Sequence, residues 1–124
     1  MKIEHAALYV RDLEGAKRFF ETYFEAKSNQ LYHNQKTGFQ SYFLSFDEGA
    51  RLEIMTRKEE LTKKNQELLF LGYHHVAFRL GSRERVDELT TRHQEDGYQL
   101  LSRPRLTGDG YYESLEGNQI ELTV

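Results

Sequence analysis

Apolar and polar residues follow one pattern along the chain twice, and each copy predicts the same series of elements. Residues 2–10 alternate with the period of two that is typical of a strand. After a candidate N-cap at Asp12, apolar residues recur at the spacing of an amphipathic helix. Residues 31–33, 39–46 and 51–56 then predict three further strands, separated by turn signals that contain glycine.

The second half of the chain predicts a strand at residues 76–80 and a helix after a second candidate cap at Ser82. Strands follow at residues 99–102, 111–115 and 119–124. We therefore predict an α+β fold of two βαβββ modules that form a curled mixed sheet with the helices outside. Residues 1–124 would be a single domain, with module one at 1–57, a connector at 58–72 and module two at 73–124. A charged stretch at residues 57–66 is predicted to be helical.

Composition narrows the classes of protein that fit this pattern. The 124 residues carry a net charge of −3 from 17 basic and 20 acidic side chains, without the basic stripe expected of a nucleic-acid-binding surface. The chain has no cysteine, and its apolar runs are shorter than the roughly 20 residues of a membrane span. We expect a cytoplasmic protein with no nucleic-acid or membrane partner.

A histidine and a glutamate recur at nearly the same interval in the two modules. Glu53 follows His5 by 48 positions, and Glu121 follows His75 by 46. Strand alternation directs all four side chains away from the apolar residues of their own strands. If the sheet curls with the helices outside, the four line its concave surface.

Two histidines and two carboxylates on one surface are the ligands of a divalent metal. Carboxylates brought close together do not readily stay ionised without a cation, and imidazole suits Zn, Ni, Co or Fe. Four protein ligands on a five- or six-coordinate ion leave positions for water or substrate oxygens. A single strand histidine is more often structural than a ligand, so the recurrence of the pair carries the metal hypothesis.

Four segments resemble the vicinal oxygen chelate superfamily, which includes glyoxalase I, fosfomycin resistance thiol transferases and extradiol dioxygenases. They are IEHAALYVRDLEGAKRFFETYF at residues 3–24, ARLEIM at 50–55, HHVAF at 74–78 and GNQIEL at 117–122. The resemblance implies that His5, Glu53, His75 and Glu121 hold the ion. Because the dioxygenases and fosfomycin enzymes use two histidines and one glutamate, the fourth ligand, Glu53, resembles glyoxalase I.

The implied activity is that of a lactoylglutathione lyase-like metalloenzyme, a lyase or isomerase that transfers a proton through a metal-stabilised enediolate. Its substrate would be a 2-oxoaldehyde–thiol adduct or a related α-hydroxycarbonyl. Ni, Co or Zn is the expected metal, with Mn or Fe as alternatives. Glu121 is the expected catalytic base, with Glu53 as the alternative. The alternative functions are another metal enzyme of the same fold, a thiol transferase or dioxygenase, and a metal-free small-molecule binding or resistance protein.

The residues expected to contact the substrate depart from glyoxalase I. Tyr9 and Arg57 stand where that enzyme has the arginine and asparagine that hold glutathione. Together with Arg51 and Arg79 they are candidates for binding an anionic small-molecule substrate, although the same residues are equally compatible with an ordinary surface. The resemblance also implies a homodimer in which modules pair within one chain or across two.

Overall fold

The computed structural model describes residues 1–62, 71–102, 111–115 and 118–124, with the backbone alone at residues 102 and 111–114. The chain divides into two compact units, of which the first ends at Thr62 and the second at Val124. The division falls inside the predicted connector. The described part of each unit has one helix and a sheet with both parallel and antiparallel pairs, which confirms the predicted α+β class.

The first unit begins and ends with strands that pair side by side. Its described elements are β1 (His5–Tyr9), α1 (Leu13–Phe24), β2 (Lys27–Ser28), β3 (Tyr32–His33), β4 (Gln40–Ser45) and β5 (Arg51–Thr56). The strand order is β1-β5-β4-β2, and β3 also pairs with β4. β1 runs parallel to β5, and the other pairs are antiparallel.

Helix α1 begins at the predicted cap and covers one face of this sheet. The Asp12 carboxylate accepts a hydrogen bond from the backbone N–H of Gly15 at 2.9 Å. The helix ends at Phe24 because Glu25 adopts a left-handed φ of 55°. The buried residues of the helix and of the strands beneath it include Leu13, Ala16, Phe19, Phe20, Tyr42, Leu44, Leu52 and Ile54. The opposite face of the sheet carries the alternate positions of these strands, which include His5 and Glu53.

The second unit repeats this arrangement. Its described elements are β6 (His75–Arg79), α2 (Arg83–Glu95), β7 (Gln99–Ser102), β8 (Tyr111–Leu115) and β9 (Asn118–Thr123), in the sheet order β6-β9-β8-β7. β6 runs parallel to β9. Ser82 caps α2 as predicted, because its hydroxyl accepts a hydrogen bond from the Arg85 N–H at 3.3 Å. Val86 and His93 are buried on the same helix.

The register of the two parallel pairs separates apolar from polar side chains in the way that alternation predicted. In the first unit, Glu53 on β5 lies opposite Ala7 on β1, two residues after His5. In the second unit, Glu121 on β9 lies opposite Ala77 on β6, two residues after His75. The residues on either side of each glutamate, which are Leu52, Ile54, Ile120 and Leu122, are buried. The glutamates therefore lie on the face opposite the core in both units.

The predicted strand at residues 31–33 is present as β3, whereas β2, which pairs with the other end of β4, was not predicted. The chain is interrupted between these two short strands. Asn29 explains the interruption. Its side-chain oxygen accepts a hydrogen bond from the Phe43 N–H at 2.8 Å, and its own N–H donates to the Phe43 carbonyl at 3.0 Å. The asparagine side chain thus takes the place of a ladder partner and ends the strand.

Two further boundaries differ from prediction. Residues 2–4 precede β1 because β5, its pairing partner, begins at Arg51 opposite His5. No helix is present at residues 57–62, and the rest of the predicted connector helix lies outside the described residues. Among the residues that the structure describes, no helix is long and apolar enough to cross a membrane.

Candidate functional site

A histidine and a glutamate face each other across the parallel strands of the first unit. The Nε2 atom of His5 lies 3.9 Å from a carboxylate oxygen of Glu53. The Glu53 side chain is only 15% exposed, whereas that of His5 is 40% exposed. The pair therefore combines a largely buried carboxylate with a ring that solvent or a small molecule can reach.

The second unit contains the same pair in closer contact. The Nε2 atom of His75 lies 3.0 Å from a carboxylate oxygen of Glu121. The Glu121 side chain is 12% exposed and that of His75 is 32% exposed. In both units, then, Nε2 of the histidine is directed toward the glutamate on the neighbouring parallel strand. That glutamate lies opposite the residue two positions after the histidine.

The residue immediately before each histidine contacts the other ring nitrogen. In the first unit, the Glu4 carboxylate hydrogen-bonds with Nδ1 of His5. In the second, Nδ1 of His74 lies 3.0 Å from Nδ1 of His75. His74 is exposed and precedes β6. Both units thus hold the histidine ring at Nδ1 and direct Nε2 toward a carboxylate.

Glu4 is itself held by Arg51 on the neighbouring strand. The Arg51 Nε donates to a Glu4 carboxylate oxygen at 2.6 Å, and the Arg51 backbone N–H donates to the Glu4 carbonyl at 2.9 Å. The hydrogen bond with His5, followed by that with Arg51, holds the pKa of Glu4 below its ordinary value. Glu4 therefore stays ionised between two hydrogen-bond donors.

An aromatic ring forms one side of the first pair. Phe43 meets His5 edge to face, with ring centroids 5.2 Å apart and planes at 83°. The Arg51 guanidinium lies over the same phenyl ring, 4.3 Å from its centroid. Phe43 is opposite Glu53 in the sheet register, and both of its backbone groups are directed to Asn29. Phe43 and Glu53 are thus a non-hydrogen-bonded pair, in which side chains approach more closely.

Both pairs fit a divalent metal in donor chemistry and in spacing. Donor atoms that bind one ion at about 2.1 Å lie about 3.0 Å apart at right angles and at most about 4.2 Å apart. The observed separations of 3.0 and 3.9 Å fall inside this range. Within either unit alone, the described residues contain no group of three or more potential metal ligands. Each unit by itself therefore offers one histidine–glutamate pair.

The residues predicted to contact substrate have different surroundings. Arg51 is engaged by Glu4 and by the face of Phe43. Arg57 donates to the Glu59 carboxylate at 2.8 Å, and this carboxylate, followed by Tyr9, raises the pKa of Arg57 above its ordinary value.

Tyr9 is 40% exposed at the end of β1, and it contributes electrostatically to the raised pKa of Arg57. Arg79 ends β6 and is exposed. Tyr9 and Arg57 thus form one small polar group in the first unit, and the assignment of all four residues to substrate stays a prediction.

Three residues of this site were missed by reasoning from the sequence. Glu4 and His74 lie just before their strands, where alternation does not say which way a side chain points. Phe43 was detectable, because alternation along β4 sets it opposite the buried Tyr42 and Leu44. A large aromatic residue on the polar face of a strand was the available signal.

Comparison with known proteins identifies the family. Residues 2–122 match the model of the Glyoxalase/Bleomycin resistance protein/Dioxygenase superfamily. The chain belongs to this superfamily. The uncharacterized protein YqjT of Bacillus subtilis (strain 168) is 29% identical over 114 residues, which cover 89% of this chain and 85% of YqjT.

Solved structures of superfamily proteins have the same fold. A possible glyoxalase from Bacillus cereus is 26% identical, with a TM-score of 0.73 over 100% of this chain and 99% of that one. The fosfomycin resistance protein FosX of Listeria monocytogenes, as an E126Q mutant with Mn(II) and 1S,2S-dihydroxypropylphosphonic acid, is 23% identical, with a TM-score of 0.75 over 98% of this chain and 90% of that one. The predicted glyoxalase-like fold is confirmed, whereas this likeness leaves the reaction open.

Proposed function

We propose that this superfamily member is a metal-dependent lyase or isomerase of the glyoxalase I type. His5, Glu53, His75 and Glu121 would together hold one divalent ion, Ni, Co or Zn, with Mn or Fe as alternatives. The modules that supply the two pairs come from one chain or from two chains of a homodimer.

The observation that carries this proposal is the repetition of one donor pair at one register. A histidine Nε2 and a glutamate oxygen lie 3.9 Å apart in the first unit and 3.0 Å apart in the second. Both glutamates are largely buried. Because burial of an ionised carboxylate is costly unless a charge partner compensates it, a shared cation accounts for both carboxylates at once.

The proposed reaction moves a proton from one carbon of the substrate to the adjacent carbon, and the bound ion and the glutamates would have separate roles in it. When bound, the ion would act as a Lewis acid toward a substrate carbonyl and lower the cost of negative charge on its oxygen. Glu121 would remove the proton from the carbon beside that carbonyl and return it to the neighbouring carbon, as a general base and then a general acid. Glu53 is the alternative base.

The substrate proposed for this site is a small α-hydroxycarbonyl or a 2-oxoaldehyde–thiol adduct that carries an anionic group. Arg57 keeps its positive charge beside Glu59, and Tyr9 also raises the pKa of Arg57. Arg79 is an exposed cation at the end of β6. These side chains would bind a substrate carboxylate through charge-assisted hydrogen bonds.

The experiment begins with elemental analysis of untagged protein purified without chelators and then offered Ni, Co, Zn and Mn. We expect about one tightly held ion per chain if four residues share it. Glu53→Gln and Glu121→Gln should each weaken metal binding and abolish turnover of methylglyoxal with a panel of thiols, while circular dichroism stays unchanged. Full turnover in both variants, or no bound metal under any condition, would contradict the proposal.

The second candidate is another metal enzyme of the same fold, either a thiol transferase or a dioxygenase. The wider separation in the first unit favours it, since Glu53 is farther from its histidine than Glu121 is. In that case Glu53→Gln would retain turnover and activity would follow Mn or Fe. A protein that binds small molecules without metal would instead show ligand binding that is the same with and without a chelator.

A further inference from the structure

We infer that Glu4 is a positioning residue for His5. Arg51 anchors Glu4, and Glu4 in turn holds the His5 ring in the tautomer that carries its hydrogen on Nδ1. The other ring nitrogen, Nε2, is then unprotonated and faces Glu53. The consequence for metal affinity rests on the proposed function. The tautomer itself follows from the contacts of the described residues and is tested separately.

Glu4 is anchored at two points before it reaches the histidine. Its carbonyl accepts the Arg51 backbone N–H at 2.9 Å, and its carboxylate accepts the Arg51 Nε at 2.6 Å. The backbone bond fixes the start of β1, and the side-chain bond fixes the carboxylate. Arg51 holds the carboxylate by Oε1 from the neighbouring strand, and the other oxygen, Oε2, meets His5, although Glu4 is exposed.

The chemistry of this contact selects one tautomer. An ionised carboxylate can only accept hydrogen bonds, so Nδ1 of His5 must carry the hydrogen in the contact with Glu4. In the neutral ring the free lone pair is then on Nε2, the atom that lies 3.9 Å from Glu53. A carboxylate on the far nitrogen also raises the basicity of the ring as a ligand.

Phe43 joins the anchor and the ring into one packed group. The His5 ring meets the phenyl ring at 5.2 Å, and the Arg51 guanidinium lies over it at 4.3 Å. Rotation of the His5 ring away from Glu53 would break the Glu4 hydrogen bond and the aromatic contact together. The arrangement therefore fixes the orientation of the ring as well as its tautomer.

The second unit provides an internal control. His75 is held at Nδ1 by His74, a residue that is not a carboxylate, at 3.0 Å. When both rings are neutral, one nitrogen of that contact must donate and the other accept. Loss of Glu4 should therefore change His5 and leave the tautomer of His75 as it was.

The first test is the nitrogen NMR spectrum of the histidines in metal-free protein at about pH 8.5, well above the ordinary histidine pKa of about 6.5. We expect the His5 hydrogen on Nδ1 in the wild type and a mixture of both tautomers in Glu4→Ala. Glu48→Ala, which removes an exposed carboxylate from the turn before β5, is the matched control and should leave His5 unchanged. A wild-type His5 protonated on Nε2, or an unchanged tautomer in Glu4→Ala, would overturn the inference.

The second test is metal affinity, measured by competition with a chelator. Loss of an outer hydrogen-bond partner of a metal-binding histidine typically weakens binding about 10- to 100-fold, and we expect this for Glu4→Ala but not for Glu48→Ala. Because Arg51 acts through Glu4, Arg51→Met should weaken binding less, and the double variant should match Glu4→Ala alone. Equal affinities of wild type and Glu4→Ala would contradict the positioning role.

The two tests separate the two proposals. If the wild type binds no metal, the proposed function fails, and the tautomer spectrum still decides whether Glu4 orients His5. If the wild type binds metal and Glu4→Ala changes neither the tautomer nor the affinity, the proposed function stands and the role of Glu4 is refuted.

Discussion

Replacing Phe43 by leucine tests whether the aromatic side of the first His–Glu pair stabilises the fold as well as the site. The substitution keeps a large apolar side chain but removes two specific contacts. The edge-to-face contact with His5 at 5.2 Å contributes about 0.5–1.5 kcal/mol beyond area burial. The cation–π contact with Arg51 at 4.3 Å contributes about 0.5–1 kcal/mol at an exposed site.

Because the His5 and Arg51 side chains are 40% and 41% exposed, both contacts belong near the lower end of these ranges. We therefore expect Phe43→Leu to lower the free energy of unfolding by about 1–2 kcal/mol. Urea titration followed by circular dichroism measures this as a shift in midpoint at unchanged slope. Metal affinity should fall in the same variant, since the His5 ring loses the surface that orients it.

Phe39→Leu is the matched control for this prediction. Phe39 is also partly exposed in the first unit, and its aromatic contact is with Tyr32 at a longer centroid distance of 6.1 Å. We expect its loss of stability to be no more than about half that of Phe43→Leu. If the two variants lose equal stability, or if Phe43→Leu binds metal as the wild type does, Phe43 is ordinary packing and the reasoning fails.

Two further predictions concern the packed side of the first sheet. Tyr42→Phe removes the hydrogen bond that Tyr42 donates to Glu14 at 2.7 Å, and should cost about 1.5 kcal/mol or slightly more because the acceptor is charged. The hydrogen bond raises the pKa of Tyr42, so it stabilises the fold fully below about pH 10 and this stabilisation is lost as the pH rises through the raised pKa. The urea midpoints of the wild type and Tyr42→Phe should therefore converge at that high pH. Ile54→Ala truncates a side chain with 0% exposure and should cost about 2–5 kcal/mol in thermal or urea unfolding, whereas a loss below about 1 kcal/mol would contradict its place in the core.

The sequence predicted best where side chains alternate against a packed helix. Strand β5 has the predicted bounds because Leu52 and Ile54 must face the core, and the register then fixes where Glu53 points. The pairing of His5 with Glu53 follows from the same alternation on two neighbouring strands. The features that follow from strand alternation could therefore be predicted from the sequence.

The remaining features depend on contacts that alternation does not describe. Asn29 ends β2, a strand that was not predicted, through a side-chain hydrogen bond that competes with the ladder. Glu4 lies before β1, where the backbone of Arg51 decides its position. Arg51 was expected to face a substrate, and its partner Glu4 could be identified only once the parallel register was known.

The hydrogen bonds between Asn29 and Phe43 have a consequence for how this protein tolerates change. Loops are ordinarily where insertions and substitutions accumulate without harm. Here Asn29, in the loop between β2 and β3, forms two hydrogen bonds with the backbone of Phe43, the residue whose ring lies against His5. An inserted residue beside Asn29 would displace these two hydrogen bonds and with them the Phe43 ring. The length and sequence of this loop are therefore constrained by the His5–Glu53 pair, although the loop itself contributes no residue to that pair. Engineering that grafts new specificity onto this fold should leave that loop intact and vary others.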